Sequence, residues 1–145
     1  NYIMNAMMSL RDAILYRILS DLFGQERVIF AMSAFAVCGG DLSDDFLSID
    51  PDIITWSKSN KCLFTIVDHE DEPKMVVEFF SGFSKDIDNN EVEHQRFLKP
   101  LLEKSGISYV TLSEDEFNES IDPEGTVDFC TLLHSKISPI DTAEA

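Results

Sequence analysis

One carboxylate stands where an apolar pattern seldom places one: Glu78, inside the strand-like run MVVEFF at 75–80. A carboxylate among apolar neighbours costs several kcal/mol if it is buried without a partner. Three readings are open. Glu78 faces outward, or pairs with a base such as Arg11 or Arg17, or is what remains of a site in which an acid does chemistry. The other reactive residue types form no such pattern. His69, His94 and His134 are scattered, and no His pair or Cys–His cluster has the spacing of zinc ligands. No Gly-x-Ser-x-Gly elbow is present. Gly39-Gly40 is not followed by the Gly-Lys-Ser/Thr of a phosphate loop. Cys38, Cys62 and Cys130 are odd in number and sit in apolar stretches, so they read as three buried small hydrophobes in a reducing compartment. Trp56 reads as a core or hinge aromatic rather than a stacking platform.

The elements that must position Glu78 follow from periodicity. Ser9 and Asp12 open a helix whose apolar residues recur at Ile14, Leu15, Ile18, Leu19 and Leu22, and Gly24 closes it. Residues 27–37 (RVIFAMSAFAV) predict a buried strand, with room for a helical portion because of the alanines; Gly39-Gly40 ends it. Residues 41–52 carry five acids and no base and predict a surface loop, after which 53–56 reads as a short extended piece. Strands at 62–67 (CLFTIV) and 75–80, joined by the polar DHEDEPK, predict a hairpin. Phe83–Asn90 is a loop. A helix over 91–104 follows, with Pro100 set to kink or split it and Gly106 to end it. Ile107–Leu112 predicts a fourth strand. Ser113 with Glu116 is a capping-box signal for a short helix. Pro123 and Gly125 break the chain. A last helix starts at Thr126, with Val127, Cys130, Leu133 and Ile137 on its apolar face. The fold class is α/β, with mixed helices and strands: a central mixed four-stranded sheet flanked by helices.

Length and composition bound the function. With 145 residues there is room for one domain, which we place at 1–138, with 139–145 as a flexible tail. Hydrophobic residues at 44% and charged residues at 26% match a soluble protein with a core, and no apolar run approaches the ~20 residues that span a bilayer. The opening residues lack the pattern of a secretory signal, which points to a cytoplasmic protein. The 27 acids against 11 bases give a net charge of −16, so nucleic acid is not an expected partner and no membrane patch is expected. Between Ser105 and Ser135 there is no Lys or Arg, and residues 114–124 hold six acids. This surface suits solubility, or a partner protein with a basic face.

The order of elements, with DAILYRILSDLFG, RVIFAMSAFAV, CLFTIVD, PKMVVEFF and EHQRFLKPLLEKSGISYVTL, resembles the PD-(D/E)XK nuclease-like superfamily, most of all a bacterial branch of small domains of unknown function. The resemblance covers roughly residues 9–112 and implies a restriction-endonuclease-like core. In that family an Asp on the second strand and a Glu on the third flank a divalent ion, usually Mg²⁺. A Lys, or in this branch often an acid, stands two residues after the Glu and helps to activate water. Here Leu63 stands at the Asp position, Glu78 keeps the Glu, Phe80 stands at the Lys position, and Asp12 matches an acid of the first helix. Glu78 and Asp12 are therefore the candidate, vestigial site residues. Asp68 lies some five residues, ~17 Å, along the strand from Leu63, too far to replace the missing acid.

The resemblance thus implies a catalytically degenerate nuclease-fold domain that acts through protein contacts, as a regulator or scaffold in bacterial DNA processing or defence, with no cofactor. Leu63 and Phe80 are expected to fill the former cleft from neighbouring strands, near Tyr16 and Leu19. Two alternatives stand beside it: a metal-dependent DNA endonuclease with an unusual Mg²⁺ site, and an acidic mimic of DNA that blocks a nucleic-acid-binding protein.

Overall fold

The computed structural model describes residues 10–39, 52–80, 92–122, 124 and 128–136. The expectations for Ser9, Gly40, the acids of 41–50, the 83–90 loop, Pro123, Gly125, Thr126, Val127, Ile137 and the tail lie outside them. Helix α1 (Leu10–Phe23) leads through a short 3₁₀ turn into β1 (Val28–Ser33) and the one-turn helix α2 (Ala34–Val37). Helix α3 (Ile53–Ser59), β2 (Lys61–Val67) and β3 (Pro73–Phe80) follow. A π-helical turn (His94–Leu98) runs into α4 (Lys99–Lys104), then β4 (Ser108–Ser113), α5 (Glu114–Ile121) and α6 (Phe129–Lys136).

The four strands form one sheet in the order β1-β2-β3-β4. β1–β2 and β2–β3 are antiparallel, and β3–β4 is parallel, with Met75 opposite Ser108 and Phe80 opposite Ser113. Helices cover both faces. Leu15 and Leu19 of α1, Phe117 of α5 and Leu133 of α6 pack on one face, over Phe64, Val77 and Val110. Val37 of α2, Trp56 of α3 and Phe97, Leu98 and Leu101 of the π turn and α4 pack on the other, over Cys62 and Val76. No helix among the described residues is long and apolar enough to cross a membrane.

Local chemistry explains the boundaries. Gly24 ends α1 at φ 100°, where its N–H still reaches the Ser20 carbonyl at 2.8 Å. A Cβ is unfavourable in that conformation. β1 stops four residues earlier than the apolar run, because Ser33 Oγ accepts the Ala36 N–H at 3.1 Å and caps α2. Residues 53–56 belong to a helix rather than to an extended piece: Ile53 and Trp56, three apart, are buried together, and Ser57 Oγ bonds back to the Ile54 carbonyl. The hairpin turn is held by Asp68, whose Oδ1 accepts the N–H groups of Glu70 and Glu72 at 2.8 and 3.0 Å. These bonds hold its carboxyl below the usual range. Pro100 does not split its helix: residues 92–104 are helical throughout, with a π turn at His94–Leu98 and α geometry from Lys99 onward, where Pro100 falls in the first turn and needs no N–H partner.

The capping box at the start of α5 is complete. Glu116 N–H reaches Ser113 Oγ at 3.2 Å, and Ser113 N–H reaches Glu116 Oε1 at 3.0 Å. Ser113→Ala should lower stability by about 1 kcal/mol. Urea unfolding curves checks this, and an unchanged midpoint would show that the box does not hold α5.

Candidate functional site

β2 and β3 pair from Val67 opposite Pro73 to Phe64 opposite Val77. The pairing ends there, and one residue further on the Leu63 N–H donates to the side chain of Glu78, at Oε2, over 2.6 Å. The neighbouring strand is irregular at the same level. Phe30 pairs with Phe64 and Met32 with Cys62, but Ala31 between them has φ 60°. Residues two apart in a regular strand share a face. Here Phe30 and Phe64 pack in the first core, whereas Met32 and Cys62 pack in the second. Both strands therefore turn over between these pairs. Left-handed backbone at an alanine costs about 1–2 kcal/mol, and such strain persists only where surrounding structure enforces it. The sheet is thus forked at Ala31, Leu63 and Glu78.

Glu78 fills the fork. It is 5% exposed, and its Oε1 lies 3.5 Å from His94 Nε2, itself 8% exposed. The π turn supplies His94, and Trp56 holds the ring in place with an edge-on contact at 5.5 Å while stacking on Phe97 at 5.2 Å. Burial pushes the Glu78 carboxyl up to about 8; the Leu63 N–H opposes that rise and the charge of Asp12 adds to it. At neutral pH Glu78 is therefore mostly an uncharged acid. Cys62 beside it is raised by burial first, then by the charges of Glu78 and Cys38, and a thiol so placed is unreactive.

Several expectations need correction. Glu78 neither faces outward nor pairs with Arg11 or Arg17. Arg11 forms its ion pair with the buried Glu114 and lies over the Phe79 ring, and Arg17 is exposed. Leu63 packs against the first core but stands opposite Glu78, not opposite Phe80, because the antiparallel register places them so. The Phe80 side chain lies outside the described residues. Cys62 is buried in the second core and Cys38, half-buried, packs against it, whereas Cys130 is exposed.

The fold does bring the two candidate acids, Asp12 and Glu78, within electrostatic reach of each other. It adds His94, which sequence reading passed over. The signal was present: His94, Phe97, Leu98 and Leu101 have helical spacing, which places the imidazole on the apolar face. Among the described residues no three His, Cys, Asp or Glu side chains are arranged to hold a metal ion. Both Glu78 oxygens are turned to protein groups, the Leu63 N–H and the His94 ring. These donors do not fit a divalent cation, which needs a shell of charged or carbonyl oxygens. Comparison of the chain with protein-family models, with curated proteins and with solved structures finds no match.

Proposed function

We propose that this chain is a nuclease-like domain of the PD-(D/E)XK kind whose catalytic carboxylate has been converted into a structural one, and that it works through contacts with another protein. The observation that carries this reading is the placement of Glu78: buried, bonded to the Leu63 N–H and turned toward His94, where burial pushes its carboxyl up to about 8. A metal-dependent nuclease needs that carboxylate ionised and open to a cation. The net charge of −16 favours a partner with a basic surface and disfavours a polyphosphate backbone. The resemblance of the chain to a bacterial branch of the superfamily supports a regulatory or scaffold role in DNA processing or defence.

The test is calorimetric titration with Mg²⁺ and Mn²⁺, run beside a cleavage assay on plasmid and single-stranded DNA. No stoichiometric site at micromolar concentration and no cleavage are expected. A site that Glu78→Gln abolishes, together with metal-dependent cleavage, would overturn the reading.

A further inference from the structure

Helices α5 and α6 turn their inner faces to the first core, where Phe117 meets Phe129 edge-on with ring centroids 6.4 Å apart and Leu133 is buried. Between them lies an open groove of about 290 Å³, lined by Glu116, Glu119 and Ser120 of α5 and by Thr131, Leu132 and Ser135 of α6. Small-molecule pockets run from roughly 300 to 1,000 Å³, so this groove has room for a long side chain rather than for a cofactor. Its lining is mostly hydrocarbon, and Leu132 is held in place by packing against the first core.

The polar side chains of that lining present acceptors. Ser120 Oγ donates to the Phe117 carbonyl at 2.8 Å, and Ser135 Oγ to the Leu132 carbonyl at 2.7 Å. The Thr131 hydroxyl bonds the carboxylate of Asp128, which also accepts the Thr131 N–H at 2.8 Å. A hydroxyl that has given up its one proton offers only lone pairs, and a carboxylate offers nothing else. Glu116 and Glu119 supply the carboxylates. Glu116 takes the ammonium of Lys136 on one oxygen and the Ser113 N–H on the other, so a cation against this wall is already part of the fold. No Lys or Arg occurs between Ser105 and Ser135, while residues 114–124 hold six acids.

We propose that the α5–α6 groove is the docking site for a basic segment of a partner protein: a lysine or arginine whose methylene stem lies along Leu132 and whose head group meets Glu119 and the hydroxyl oxygens of Ser120 and Ser135. A long cationic side chain brings both things that the groove takes, hydrocarbon for its lining and N–H donors for its oxygens. A phosphate backbone brings neither. Such a site rests on the basic partner proposed above and gives that partner a place on the fold, whatever became of the chemistry at Glu78.

The experiment is a titration of the full chain, labelled with ¹⁵N, with a short peptide of lysine and leucine in helical spacing. Amide shifts locate the peptide, and their concentration dependence gives its Kd. The shifts should centre on 116–120 and 131–136. Ser135→Arg, which fills the groove with the chain's own cation, and Glu119→Lys, which reverses a charge on its wall, should each weaken binding about tenfold. Both residues are exposed, so both variants should keep the parent's melting temperature; if one does not fold, the other decides. Glu70→Lys makes the same charge change as Glu119→Lys on the exposed turn between β2 and β3, and should leave the Kd within about twofold. Shifts gathered on the 68–72 turn, or equal weakening by Glu70→Lys and Glu119→Lys, would overturn the groove and leave a basic partner in place. No binding even at low salt would overturn both. Groove resonances that move on dilution of the free chain would give the site to a second copy, and Overhauser contacts from Ile140 to Leu132 would give it to the chain's own last residues; either result overturns the proposal.

Discussion

Leu63→Asp, which puts an acid where the resemblance to the PD-(D/E)XK nucleases would have one, should lower stability by roughly 3–5 kcal/mol and give no cleavage. Leu63 is partly buried and packs against the first core, so losing its hydrocarbon costs about 1.5–3 kcal/mol. The rest comes from charge. The new carboxylate would sit against the first core, on the residue whose N–H bonds Glu78, and burial there resists ionisation. For a domain of this size the melting temperature should fall by roughly 10 °C or more. Leu63→Ala separates the two contributions, since it loses the packing without adding the charge, and it should cost the smaller share. Adding Phe80→Lys to Leu63→Asp completes the motif in sequence and should still yield neither a metal site nor a nuclease. Melts with and without Mg²⁺ settle the matter. An unchanged melting temperature in Leu63→Asp would place residue 63 in solvent. A melt that Mg²⁺ raises would mean that the carboxylates of the fork still converge on a cation.

The sheet was legible because its strands are short apolar runs rich in β-branched and aromatic residues. The structure moves the boundaries of β2, β3 and β4 by no more than two residues from the pattern. The capping box at Ser113 and Glu116 was legible because both halves lie within one turn. Helix α3 was not, because a seven-residue helix with two adjacent isoleucines looks extended in a short window. The end of β1 was not, because Ser33 decides it by a side-chain bond that apolar patterning does not register.

The site divides along the same line. Glu78 announces itself as an acid in an apolar strand. The Leu63 N–H does not, since it becomes available only where the pairing of β2 and β3 ends, and His94 was legible only as a member of the apolar face it shares with Phe97, Leu98 and Leu101. Arg11 is a reasonable partner by sequence, but Glu114, brought to it by the β4–α5 junction, takes it first. The resemblance supplied the expectation that residue 63 matters. Its register against Glu78 came only with the pairing of β2 and β3.

Stability should depend on pH through this one carboxyl, and the sign follows from its burial. In the folded chain Glu78 keeps its proton up to about pH 8, whereas in the unfolded chain it loses it near 4.5. Between these values the native state binds more protons than the unfolded state. Its contribution is therefore fully present below pH 4.5 and is lost as pH rises through 8, at up to about 1.4 kcal/mol per unit. Glu78→Gln has no such proton. The stability of the variant minus that of the parent should lie near zero around pH 5 and favour the variant by several kcal/mol near pH 9. Taking the difference cancels the other acids, which titrate alike in both proteins. Urea unfolding of the two proteins at three pH values across this window measures it. Parallel pH profiles would mean that Glu78 ionises at its ordinary value in the folded chain. The fork would then be a hydrated cleft presenting a carboxylate, which is the arrangement a metal-dependent nuclease requires.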